Sequence, residues 1–222
     1  AALAPRVHAA ADTLPDRLTD KEFWDLSRTL SEDDGYFRSD NLLSNEIYFQ
    51  TVIPELLTKL KPGGVYMGVG PEQNFTYIAA LKPKIVFITD VRRGNLHTQL
   101  MYKALFQLSN DRVDFVSLLF SRKRPEGLTA SSTVQEIFAA VGAAPRTEET
   151  YKENYKRIVE LLTKKHSLPL PKEDLDGIDY VYGNFFTYGP SISYNSSQGG
   201  GGRGNMSTYH SLMTTTDGAG QA

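Results

Sequence analysis

Apolar residues recur at helical spacing in several stretches of the chain. In DKEFWDLSRTL (20–30), Phe23, Trp24, Leu26 and Leu30 fall on one stripe, with Thr19 or Asp20 as the N-cap. SNEIYFQTVIPELLTKL (44–60) reads as a second helix, broken at Pro54 and stopped by Pro62-Gly63-Gly64. PEQNFTYIAAL opens with Pro71 and Glu72, residues suited to a first turn, and predicts a helix over 72–81. Leu96, Leu100, Met101, Ala104, Leu105 and Leu108 predict a helix over 95–109. TVQEIFAAVG and EETYKENYKRIVELLTKKH (148–166) predict two more.

Shorter apolar runs bounded by glycine, proline or an acid read as strands. VYMGV (65–69) and KIVFITD (84–90) have this form, and IDYVYGNFF (178–186) joins them. RVDFVSLLF (112–120) fits a strand or a helix equally. Alternating strands and helices predict an α/β fold with a mostly parallel sheet. About four strands fall short of the five to seven or so of an open doubly wound sheet. The sheet is therefore expected to be completed by a protein partner or by a further C-terminal segment. Expected boundaries are an arm over 1–18, the α/β domain over 19–190 and a flexible Gly/Ser/Thr-rich segment over 191–222.

Composition narrows the functional classes. Lys and Arg number 24 against 26 Asp and Glu, so no basic field suits general nucleic-acid binding. No apolar run approaches the roughly 20 residues that span a bilayer. A soluble protein is expected, cytoplasmic in preference to exported, because the Ala-rich start reads as a linker rather than as the remnant of a cleaved leader. With no cysteine and four scattered histidines, thiolate chemistry is excluded and a zinc site is not expected.

The chemistry concentrates in GGVYMGVGPEQNFTYIAALKPKIVFITDVRRGN (63–95). Gly68 and Gly70 sit at the turn after the first strand, where a missing Cβ lets a ligand approach the backbone. Glu72 opens the following helix, whose free N–H groups face the turn. Asp90 ends the second strand 22 residues after Gly68 (90 − 68), near the spacing of about 20 at which an acid accepts from ribose hydroxyls. Position 73 is Gln rather than the third glycine of GxGxxG. Arg92 and Arg93 follow, suited to a phosphate or carboxylate. The loop Gly35–Asn41 either folds over a cofactor or caps the next helix. Asn184 with Phe185 and Phe186 offers a second aromatic cluster, and Gly199–Gly202 with Arg203 reads as a linker or a mobile lid.

The order GxG, helix, strand, acid resembles the cofactor-binding half of class I S-adenosylmethionine-dependent methyltransferases, over roughly residues 60–120. That resemblance implies a Rossmann-like three-layer sandwich, incomplete within this chain, and S-adenosylmethionine held by Gly68, Gly70, Glu72, Asp90 and Arg92. The acid of that family two residues before the first glycine is replaced here by Tyr66. The segments at Phe37–Asn41, Gly68–Leu81 and Asp90–Asn95 also resemble an uncharacterised bacterial family. The expected function is a methyltransferase-like protein that binds an adenosine cofactor. The alternatives are a non-catalytic scaffold or subunit, and an NAD(P)-dependent enzyme using Arg92 or Arg93.

Overall fold

The computed structural model describes residues 14–198 and 207–216. Most of the expected N-terminal arm, and the Gly199–Gly202 run with Arg203, lie outside the described residues. Nine α-helices are present among them, with only two strands. The helices are α1 (Asp20–Thr29), α2 (Ile53–Lys59), α3 (Gln73–Leu81), α4 (Arg93–Leu108), α5 (Arg112–Leu119), α6 (Val134–Ala143), α7 (Glu148–Glu160), α8 (Lys172–Tyr188) and α9 (Tyr209–Thr214). The strands β1 (Val65–Val69) and β2 (Ile85–Thr89) pair in parallel, with Val65 opposite Ile85 and Val69 opposite Thr89.

The local expectations around the pair hold. VYMGV and KIVFITD are adjacent parallel strands joined by α3. Thr19 caps α1 through a reciprocal box with Glu22. Pro54 divides the second predicted helix: a short tight turn (Phe49–Val52) leads into α2, where the proline occupies the first turn.

The expected three-layer Rossmann-like sandwich is not the architecture found. RVDFVSLLF is α5, started by Asp111 accepting from the Asp114 N–H. IDYVYGNFF lies within α8, where Ile178, Val181, Tyr182 and Phe185 turn one stripe inward. One expected strand is thus helical, the run left open between strand and helix is also a helix, and helices dominate the described chain. The segment after residue 190 also departs from its expectation. Thr208 caps α9, and Tyr209 and Leu212 are buried in the core.

That core sits between helices rather than on the sheet. α4 packs along α8, with α5, α6, α7 and α9 around them. Aromatic rings fill the centre: Tyr102 meets Phe185 edge-on at 6.0 Å, and Phe120 meets Tyr209 at 5.5 Å. The βαβ unit joins this helical body through α4, which follows β2 directly. The carboxyl ends of both strands therefore face the start of α4.

Candidate functional site at the carboxyl ends of the strands

β1 ends in Gly70, whose φ of +81° lies in the left-handed region that glycine enters without strain. Its N–H donates to the Thr89 carbonyl at 3.1 Å, tying the turn to the end of β2. A Cβ built on Gly70 would meet nothing within 4 Å, although the residue itself is buried.

Gly68 is glycine for a different reason. A Cβ there would lie 1.9 Å from Asn74 Oδ1. Asn74 is buried and organises the turn. Its Nδ2 donates to the carbonyls of Val69, Gly70 and Pro71 at 3.2, 3.1 and 2.8 Å, and its Oδ1 accepts from the Tyr66 hydroxyl at 2.8 Å. Gln99 Nε2 also donates to the Gly70 carbonyl, at 3.1 Å. Tyr66 is thus part of the turn's own scaffold.

Glu72 points inward rather than toward the turn's open side. It is buried, and both carboxylate oxygens accept from the Ser44 N–H at 3.1 Å. Burial pushes its carboxyl up to about 7, against partial relief from backbone N–H groups. Tyr102 and Tyr209, both buried, face it from α4 and α9, and burial raises their hydroxyls too.

Asp90 stands at the carboxyl end of β2, as expected, but its carboxylate is engaged. Oδ1 accepts from the Arg92 N–H at 3.0 Å and Nε at 3.2 Å, and Oδ2 accepts from Nη2 at 3.2 Å. Arg92 also donates from Nη1 to the Asp40 carbonyl. Arg93 turns the other way. Its guanidinium forms a fork with Asp174 at 2.6 and 2.7 Å, while His97 Nε2 lies 2.9 Å from the same carboxylate. Asp174 is fully buried. Burial works against its charge, yet hydrogen bonds from Arg93 and His97 hold its carboxyl below the usual range. His97 packs so closely on α8 that a Cβ at Gly177 would lie 2.2 Å from its ring.

The loop 34–41 lies across these strand ends as a strap. The Gly35 N–H donates to the Val91 carbonyl at 2.8 Å, and Asp34 accepts from the Arg93 N–H at 2.6 Å. Asp40 accepts from the Tyr180 hydroxyl of α8 at 2.6 Å. The alternative expectation, that this loop caps the next helix, is not met: neither the turn at Phe49–Val52 nor α2 has a side-chain cap. The second aromatic cluster does not gather at the strand ends. Phe185 and Phe186 are buried in the core, and Asn184 donates back to the Tyr180 carbonyl of its own helix.

The structure thus brings Gly70, Asp90, Arg92 and the strap together, and turns Glu72 and Gly68 toward other partners. Asn74, His97 and Asp174 were not singled out in the sequence. Asn74 carried a weak signal, an amide just inside a glycine turn. Asp174 carried less, because its partners Arg93 and His97 lie 81 and 77 positions away. Among the described residues, no three His, Asp or Glu side chains gather in a metal-holding group. No described helix is long and apolar enough to cross a membrane.

Residues 42–171, more than half of the chain, match the family model described as "Domain of unknown function (DUF7790)". No curated protein matches the chain.

Proposed function

We propose that this chain, which belongs to the DUF7790 family, binds an adenosine-type cofactor at the carboxyl ends of β1 and β2, with S-adenosylmethionine the first candidate. One observation carries the reading. The βαβ unit sets a left-handed glycine, with no atom within 4 Å of the place a Cβ would take, level with an acid at the end of the neighbouring parallel strand. A backbone turn without side chains and a carboxylate beside it suit an adenosine moiety. S-adenosylmethionine would supply an electrophilic methyl group, so the protein's part is positioning. Gly70 and Asp90 would hold the cofactor. The fit requires Arg92 to release at least one Asp90 oxygen, and the strap held by Arg92 at Asp40 to shift with it.

A second reading is favoured by that same clamp. Asp90 already uses both oxygens on Arg92, as a structural ion pair at a strand end does, which suits a scaffold or subunit without a cofactor. The NADP variant loses its motive, since both candidate arginines are committed to carboxylates.

Calorimetry separates the readings. S-adenosylmethionine, S-adenosylhomocysteine, NAD and NADP are titrated into wild type, Asp90→Ala and Arg92→Ala. The cofactor reading expects binding of the sulfonium pair, weakened by about 1.5–3 kcal/mol in Asp90→Ala, the range for a hydrogen bond to a charged group. That is roughly tenfold or more in Kd. Arg92→Ala should tighten binding by freeing the carboxylate. A wild type that binds none of the four ligands, with both variants melting lower, leaves the scaffold reading standing.

A further inference from the structure

Among the described residues, the half-buried arginines are Arg92, Arg122 and Arg124. Arg92 lies against Asp90, and Arg124 against Asp111 and Asp114. Arg122 has no such partner. What stands beside it is a second cation. Its backbone and that of Arg146 are bridged in antiparallel fashion, in the segments after α5 and before α7. Residues opposite one another in such a pairing carry their side chains to the same side, where like charges repel. Burial and the Arg146 charge together hold the Arg122 guanidinium below its usual range. Neither arginine forms an ion pair among the described residues.

Their donors are largely uncommitted. Arg122 Nε is enclosed without a partner, and no other side-chain donor of Arg122 is used among the described residues. A buried charged donor left unpaired loses its hydration without compensation. Arg146 donates once, from Nη1 to the Thr187 carbonyl at 2.5 Å, with its guanidinium 5.3 Å from the centre of the Phe186 ring. Both groups stand at the carbonyl end of α8, since a Cβ at Gly189 would lie 3.4 Å from Arg122 Nη2. That helix end is the obvious alternative partner. It contributes about half a negative charge, so roughly one and a half positive charges remain on the pair. The acids nearest Arg146 in sequence, Glu148 and Glu149, belong to the first turn of α7, whose N–H groups attract them, and neither pairs with Arg146.

We propose that Arg122 and Arg146 bind a phosphoryl group, brought to the site as inorganic phosphate or on a small phosphate ester. Such a group bears about 1.5 to 2 negative charges near pH 7. That is close to the charge left over, whereas a single carboxylate would leave the pair positive. Its several oxygens accept from both guanidinium groups at once, each planar fork meeting two of them. Phe186 and Thr187 already hold Arg146 in place, which lowers the ordering cost of binding. Arg146 is exposed, so the anion enters from solvent without any opening of the helical body. The site is separate from the strand ends. Asp174 occupies the first turn of α8 and Thr187 the last, roughly 20 Å apart along the helix axis.

The test is calorimetry on the full chain, with inorganic phosphate, glycerol 3-phosphate and, at matched ionic strength, sodium chloride as titrants. Wild type should bind the two phosphates saturably and chloride not at all. Arg122→Gln and Arg146→Gln should each weaken phosphate binding about tenfold or more, the loss of a charge-assisted hydrogen bond. Arg17→Gln, which removes the same charge from an exposed position elsewhere, should leave it unchanged. Tighter binding of glycerol 3-phosphate than of phosphate assigns the site to an ester, and the reverse assigns it to the free anion. Phosphate that acts on wild type only as chloride does overturns the proposal, and the wild-type titration decides this even where a variant fails to fold. Glutamine variants that bind phosphate as tightly as wild type, or an equal loss in Arg17→Gln, overturn it too. The pair would then only close the carbonyl end of α8.

Discussion

In the helical body, Leu100, Met101, Ala104 and Leu105 of α4 are wholly enclosed, while in β1 Val65, Met67 and Val69 stand in solvent. Both stretches are apolar. The difference is in what surrounds them. α4 is ringed by α5, α7 and α8, whereas β1 has β2 at one edge and α3 on one face. Apolar sequence alone therefore does not mark the core of this molecule. Burial follows the number of elements that converge on a segment, and convergence is a property of the whole chain.

The sharpest way to break that comparison is a pair of truncations. Leu105→Ala should cost about 3 kcal/mol, from lost transfer energy and the cavity left among close-packed helices. Met67→Ala should cost under about 0.5 kcal/mol in the isolated chain. Urea melts of the two variants check this, and comparable losses would mean that β1 is covered in solution.

Next in size is the junction between the two regions, where Glu72 of the βαβ unit is buried against Tyr102 and Tyr209 of the body. Its carboxyl rises from an ordinary 4.5 to about 7 on folding. Between those values the folded chain holds a proton that the unfolded chain has released. The contribution of Glu72 to stability is therefore fully present below about pH 4.5, falls as pH rises to about 7, and is flat above. The swing is about 3 kcal/mol at most. Glu72→Gln should remove the slope in that window and melt higher than wild type at pH 8. Chemical melts across pH 4.5–8 read both. A slope unchanged in the variant would mean that the junction is open to water.

The smallest expected effect tests the local order of the body. Thr133 and Glu136 form a reciprocal cap on α6. Thr133→Ala should cost about 1 kcal/mol, read from the same melts, with the βαβ unit unaffected.

Much of the local structure was legible because its causes are local. Thr19 with Glu22, Pro54, and the glycine turn between two apolar runs each act within a few residues. IDYVYGNFF was misread because aromatic and β-branched residues favour strands, while the same run also places Ile178, Val181, Tyr182 and Phe185 at helical spacing. Pro171 and the acids of the first turn, which start α8, tip the balance and lie outside the run. The position of Asp90 was legible from chain length. Its commitment to Arg92 was not, because a carboxylate beside two arginines can equally stay free. The Arg93–Asp174–His97 cluster joins residues about eighty positions apart, and no spacing rule reaches that far.

The two glycines of the turn carry opposite messages. Position 70 asks for a mirror-image backbone, so what it requires is handedness, and a D-amino acid would satisfy it as well as glycine does. Position 68 asks for emptiness, because the amide of Asn74 already fills the place of a Cβ. One residue type thus meets a chiral demand and a volumetric one two positions apart. Only at the chiral one is the place of a Cβ vacant.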